Sequence, residues 1–133
     1  MSDTVTTFVI NMTGNQSGNP YQGEFKAKTL LTRRELLHAD AIRRNLLGMF
    51  GANPEIAMPA MQSDAFVAGQ LAVRVIESPS WFMSAGEGGI DLPDANVLEE
   101  IMRQIRIAEE ARKAKFTVQA DAAAEKLRAK KLE

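Results

Sequence analysis

The chain has 133 residues, with 16 Lys and Arg against 17 Asp and Glu, one His and no Cys. That length predicts one domain, and near-average apolar and charged fractions predict a packed, soluble fold rather than a disordered chain. The balanced charge gives no global drive toward nucleic acid, and the lack of Cys excludes disulfides and thiolate metal sites. No apolar run approaches the ~20 residues of a membrane helix, and no signal peptide or membrane association is expected.

Residues 4–12, TVTTFVINM, alternate Phe8, Ile10 and Met12 against Thr7, Val9 and Asn11, which is strand chemistry. TGNQSGNP follows as a loop, and Tyr21, Gly23, Phe25 and Ala27 then alternate against Gln22, Glu24, Lys26 and Lys28. The two runs predict a β-hairpin over 4–29 with a mobile tip. A lone hairpin is only marginally stable. Phe8, Ile10 and Phe25 must therefore lie on helices, or the open edges must join a neighbour's sheet.

The run from Leu31 to Gly48, LTRRELLHADAIRRNLLG, carries a complete helix signature. Thr32 as N-cap with Glu35 three residues on forms a capping box, and Leu31 with Leu36 a hydrophobic staple. Gly48 is expected as the left-handed residue that ends the helix. Leu36, Ala39, Ile42 and Leu46 mark the apolar stripe, widened by Leu37 and Leu47. Asp40 and Arg44 form an i,i+4 pair on the solvent side.

Asn53 and Pro54 suit a helix start, and Pro59 then predicts a kink or a fresh start near Ser63. From Ser63 to Ser78 a thin polar line (Ser63, Gln70, Arg74, Glu77) is surrounded by apolar residues, including Phe66, Leu71 and Ile76. This segment reads as a buried core helix that Pro79 ends. PSWFMSAGEGGIDLPD forms an aromatic, glycine-rich joint, with Leu92 or Pro93 packing over the next helix and Asp94 as its N-cap. That helix has Leu98, Ile101, Ile105 and Ala108 on its oily face, with Glu99–Arg103 and Glu109–Lys113 as ion pairs. Beyond Phe116 the chain turns alanine-rich and charged, a helical arm with little to bury.

No catalytic, cofactor or metal constellation is present in the pattern. His38, the single histidine, has no second ligand for zinc and only Arg34 and Ile42 as helical neighbours, so neither a metal site nor a nucleophilic triad forms around it. The glycines at Gly86–Gly89 lack the Lys and Ser/Thr of a phosphate loop and read as a hinge. Asp91, Asp94, Glu99 and Glu100 do not follow calcium-loop order. Contact residues for a protein partner are the remaining class. Trp81 and Phe82 are either a core plug or an interface pair. Arg43 and Arg44, with Arg33 and Arg34, are either a solvated helix face, a partner patch or a DNA-phosphate surface. Phe116 stands where the oily face gives way to the arm.

The layout resembles tail assembly chaperones among the small assembly proteins of tailed bacteriophages. The resemblance lies in Tyr21–Gly23–Phe25, the LTRRE helix start, SPSWF with its glycine turn, IDLPDANVLEEIMRQI and the charged helical tail. It implies no enzyme activity and no cofactor. Its implied partners are other phage structural proteins, with self-association also open, and its implied location is the host cytoplasm during assembly. A virion-resident structural protein, on the capsid or at the head–tail junction, is the alternative, and a DNA-binding regulatory helical domain a third. The expected fold class is α+β, mostly α. An N-terminal β-hairpin packs on a bundle of three main helices (32–78 and 94–116) in one domain over 1–116, with 117–133 as the arm.

Overall fold

The computed structural model describes residues 4–49 and 58–132. The expected hairpin forms from β1 (Val5–Thr13) and β2 (Pro20–Lys28), with Phe8 opposite Phe25 and Met12 opposite Tyr21. The alternation sets the faces as read: Ile10, Tyr21, Phe25 and Ala27 are buried, while Thr7, Val9, Asn11 and Glu24 are exposed. Helix α1 (Arg33–Met49) pairs with α2 (Pro59–Arg74), and a short strand β3 (Val75–Glu77) follows. A single turn α3 (Ser80–Met83) and a 3-10 turn at Glu87–Gly89 lead to α4 (Ala95–Leu132). The fold is therefore α+β and mostly α.

Two apolar clusters hold these elements, and α2 contributes to both. Ile10, Tyr21 and Phe25 of the sheet pack with Leu71 of α2, Phe82 of α3, and Val97, Leu98, Ile101, Met102 and Ile105 of α4. On the other side, Ile42, Leu46 and Leu47 of α1 pack with Ala65 and Ala68 of α2. The rings of Phe8 and Phe25 stack at 5.5 Å, and Trp81 and Phe82 meet Phe25 edge-on.

The capping box is present in both directions. The Thr32 N–H donates to Glu35 Oε1 at 2.9 Å, and the Glu35 N–H donates to Thr32 Oγ1 at 3.1 Å. Glu35 also takes the Lys28 ammonium at 2.5 Å, so the helix start is tied to the end of β2. The Lys28 contact, with the Thr32 backbone N–H, lowers the Glu35 carboxyl to about 2.

The structure corrects several expectations. Gly48 does not end α1: it keeps a negative φ inside the helix, which runs on to Met49. Leu36 and Leu37 are exposed rather than part of the stripe, because only the Ala39–Ile42–Leu46 side meets α2. The start expected at Asn53–Pro54 lies outside the described residues. Pro59 is the first residue of α2 rather than a kink, where its missing N–H is harmless. The core helix stops at Arg74, four residues early, because β-branched Val75 and Ile76 extend instead, and Val75 comes opposite Ala27 of β2. Arg103 pairs with Glu100 at 2.7 Å rather than with Glu99.

Two members of the thin polar line of α2, Gln70 and Arg74, are buried. The Arg74 guanidinium donates to Gln70 Oε1 at 2.9 Å, to the Lys28 carbonyl at 3.1 Å and to Glu109 Oε2 at 3.1 Å. One side chain thus joins α2, the sheet and α4, and each buried donor has an acceptor.

The largest correction concerns the hairpin tip: Asp94 stands directly before α4, as expected of its N-cap, but its side chain serves the tip. The tip is anchored rather than free, and Asp94 caps the hairpin loop with its side chain. Asp94 is 0% exposed. Its Oδ1 accepts the N–H groups of Gln16 (2.7 Å) and Ser17 (2.8 Å), and its Oδ2 accepts the hydroxyls of Ser17 (2.6 Å) and Tyr21 (2.5 Å). Asn96 adds a second clasp, accepting from the Asn15 N–H and donating to the Thr13 carbonyl. Gly14 is required here, since a Cβ would overlap the Asp94 carboxylate. Burial pushes the Asp94 carboxyl upward, but hydrogen bonds from Ser17, Tyr21 and the backbone outweigh it and hold the carboxyl well below the usual range. The same hydrogen bond, with burial, raises the Tyr21 phenol.

Two outcomes follow. The ionised Asp94 contributes stability that is complete above its unfolded value of 3.8 and is lost as pH falls below it. Denaturation from pH 6 to pH 2 should show wild-type stability falling below about pH 4, with Asp94→Asn less stable at pH 6 and flatter across that window. Phe25→Ala, at the centre of the main cluster, should lower the unfolding free energy by about 3–5 kcal/mol in chemical denaturation.

Candidate protein-binding surface

The anchored start of α4 sets the direction of everything after it. Val97 to Ile105 bury one face of the helix under the sheet, and Arg112 is its last buried side chain among the described residues. From Lys113 on, the described side chains are exposed apart from the half-buried Ala124. At 1.5 Å per residue this half of the helix extends about 30 Å from the body. It is the same helix as α4, without a break.

The arm is not uniformly polar. Phe116 is 58% exposed and Leu127 61% exposed. With Ala120 and Ala123 they recur at spacings of four, three and four, which places them on one helical face. Sequence reading singled out Phe116 but missed the continuation to Leu127, because the alanines between carry little hydrophobic weight.

The other expected contact residues are distributed differently. Phe82 is 6% exposed and belongs to the main cluster, so its ring offers no surface. Trp81 is half-buried beside it, with its ring edge-on to Tyr21 and Phe25 and its Nε1–H donating to the Gln22 carbonyl at 3.0 Å. Arg43 and Arg44 share the Asp40 carboxylate, at 2.9 and 3.0 Å. Arg43 also donates to Gln62 Oε1 at 2.8 Å, which ties α1 to α2. Hydrogen bonds from Arg43 and then Arg44 lower the Asp40 carboxyl. Both guanidiniums are engaged within the chain, which weakens a DNA-phosphate surface there.

Two further features face outward. β1 is an edge strand in the order β1-β2-β3. It carries no charged residue and no proline, and its pairing with β2 runs without a bulge, so the usual guards against strand addition are missing among the described residues. A groove of about 550 Å³ runs between α1, α2 and the aromatic joint, floored by Ile42, Leu71 and Phe82 and rimmed by His38, Glu77 and Glu87. The 3-10 turn that closes one end sits so tightly on α2 that a Cβ at Gly88 would overlap the Ala68 carbonyl. Gly89 also packs closely against Leu98 and Phe82, and Gly86, Gly88 and Gly89 all hold positive φ. No group of three or more metal-ligating side chains occurs among the described residues, and none of their helices is long and apolar enough to cross a membrane.

Comparison with known proteins finds no matching family profile, no matching curated protein and no matching solved structure.

Trp81→Ala removes a half-buried ring and one hydrogen bond, so a loss of about 2–3 kcal/mol is expected by thermal or chemical denaturation. Truncation after Phe116 should leave a cooperative melt close to that of the full chain, since the core-forming part of α4 ends before it; a melt broadened beyond recognition would contradict that division.

Proposed function

We propose that this chain is a non-catalytic assembly protein that binds other structural proteins of a tailed bacteriophage, in the manner of a tail assembly chaperone. The observation that carries this reading is the arm: a continuous helix whose root is fixed in the core and whose outer half presents Phe116, Ala120, Ala123 and Leu127 to solvent. An exposed apolar helical face is suited to a groove on another protein. The sequence resemblance supplies the identity of the partner class, unassembled tail proteins in the host cytoplasm. The reading assigns no reaction and no cofactor to the chain.

The virion-resident alternative draws on a different observation, the unguarded edge of β1, which suits pairing between neighbouring subunits. One experiment separates the two. Affinity capture from infected cells should recover a phage structural protein with the full chain and lose at least nine-tenths of it with the chain truncated after Phe116. Purified particles should then lack the protein. Equal capture by the truncated chain overturns the arm's role, and high copy number in particles favours the structural alternative.

A further inference from the structure

The hydrogen bonds at the two ends of the hairpin fix which way each backbone group of β1 points. The Thr29 N–H donates to the Thr4 carbonyl at 2.7 Å, and the Gly14 N–H to the Asn19 carbonyl at 2.9 Å. Both pairs continue the register of Phe8 with Phe25. In an antiparallel ladder, residues that exchange bonds alternate with residues that do not. Thr6, Phe8, Ile10 and Met12 therefore bond β2, while Val5, Thr7, Val9, Asn11 and Thr13 turn their backbone groups to the open edge. Thr13 is engaged there, since its carbonyl accepts from Asn96. The outward N–H and carbonyl groups of Val5, Thr7, Val9 and Asn11 have no partner among the described residues.

Those four residues are symmetric about Phe8. A two-fold axis at Phe8 sets Val5 opposite Asn11 and Thr7 opposite Val9 of a second copy, and every open N–H on either strand then meets an open carbonyl. The half-buried Phe8 ring, stacked on Phe25 at 5.5 Å, faces its own copy across the axis. Helix α4 leaves this edge accessible. Its far end borders Thr29 as well as Val5 and Thr6, so it lies beneath the strand pair rather than beyond β1. Ala111 belongs to that contact, and Ile107, one turn earlier on the same face, is 51% exposed. With Asn96 at Thr13 and Ala111 at Val5 and Thr6, Ile107 falls level with Phe8.

We propose that β1 is the contact strand of a homodimer, in which a second copy of this chain adds antiparallel across a two-fold axis at Phe8 and joins two three-stranded sheets into one. Charge argues for a second copy as the occupant. No charged residue lies between Asp3 and Glu24, in a chain that is 25% charged. A strand meeting its own copy about a two-fold sets like groups close together, so neutrality suits self-pairing and selects no charged partner. On the helices the signs complement one another. A two-fold level with Ile107 brings Arg103, four residues before it, beside Glu110, three after it, of the other copy. Arg103 holds Glu100 through Nε and Nη2, and its Nη1 and the exposed Glu110 carboxylate have no partner among the described residues. The arm takes no part in this contact, so the inference goes beyond the assembly reading and is tested apart from it.

Sedimentation velocity of the full chain across a concentration series should show a monomer–dimer equilibrium. Val9→Pro removes an outward N–H without touching the ladder to β2, a position where an edge strand tolerates proline. It should weaken the dimer at least tenfold while the far-UV spectrum is retained. If Val9→Pro does not fold, the double variant Thr7→Lys with Val9→Lys, at two exposed positions, sets like charges opposite each other and should weaken the dimer in the same direction. The chain has no Cys, so engineered disulfides report the register. Under oxidation, mixed Thr7→Cys and Val9→Cys chains should form the hetero-pair in preference to either homo-pair. A chain that is monomeric at every concentration overturns the proposal, as does a dimer unchanged in a folded edge variant. Preferential linkage of Val9→Cys to itself overturns the axis at Phe8. A dimer abolished by Leu127→Glu and kept by the edge variants places the contact on the arm and also overturns it. None of these results alters capture of a phage protein by the arm, which is read by truncation.

Discussion

A single buried carboxylate joins the two halves of this chain. Asp94 stands at the start of α4, some 80 residues after the hairpin loop in sequence, and binds that loop through two backbone N–H groups and two hydroxyls. An ionised carboxylate in that position is tolerable only because all four donors converge on it. Its low proton affinity and the raised phenol of Tyr21 are two expressions of the same contact. Loop closure over so long a separation is entropically unfavourable, and the apolar cluster beneath the sheet is what offsets it.

From that clasp the geometry of α4 follows. The helix leaves the hairpin tip and passes under the sheet on Val97, Leu98, Ile101 and Ile105, with Arg74 of α2 bound to Glu109 near the far side. By Arg112 its direction is set by contacts at both ends of the buried stretch. The exposed half inherits that direction as a stiff continuation. An apolar face presented on a rigid helix loses less conformational freedom on binding than a disordered tail would. This gives the proposed assembly role a mechanical basis: the body serves to aim the arm.

Much of the architecture was legible in the residues. Strict alternation from Thr7 to Met12 and from Tyr21 to Lys28 is enough to assign both strands and their inward faces, because the side-chain period of a strand is two. Thr32 and Glu35 likewise write the start of α1 in local terms. What stayed hidden depends on contacts between distant segments. The partners of Arg74 could not be named, since nothing nearby in sequence announces Lys28 and Glu109. Asp94 was placed correctly before α4, but its side-chain partners stayed hidden because they lie in the hairpin loop and at Tyr21. The early end of α2 was more accessible: Val73, Val75 and Ile76 are β-branched, and that signal was outweighed by the apolar periodicity before them. For the contact surface, Phe116 was visible as the last large apolar residue of the helix, whereas Phe82 was not separable from Trp81 until the fold placed one inside and the other at the rim.

The central claim is that the hairpin tip is fastened to the root of α4 while the described side chains of that helix's outer half, Ala124 apart, are exposed. Native-state amide hydrogen exchange measures both parts at once. The account predicts that the Gln16 and Ser17 amides, bound by Asp94, exchange as slowly as Ile101 and Ile105 in the buried helix, and that protection falls steeply after Arg112. Fast exchange at Gln16 and Ser17, or protection as high at Leu127 as at Ile105 in the isolated chain, would contradict it.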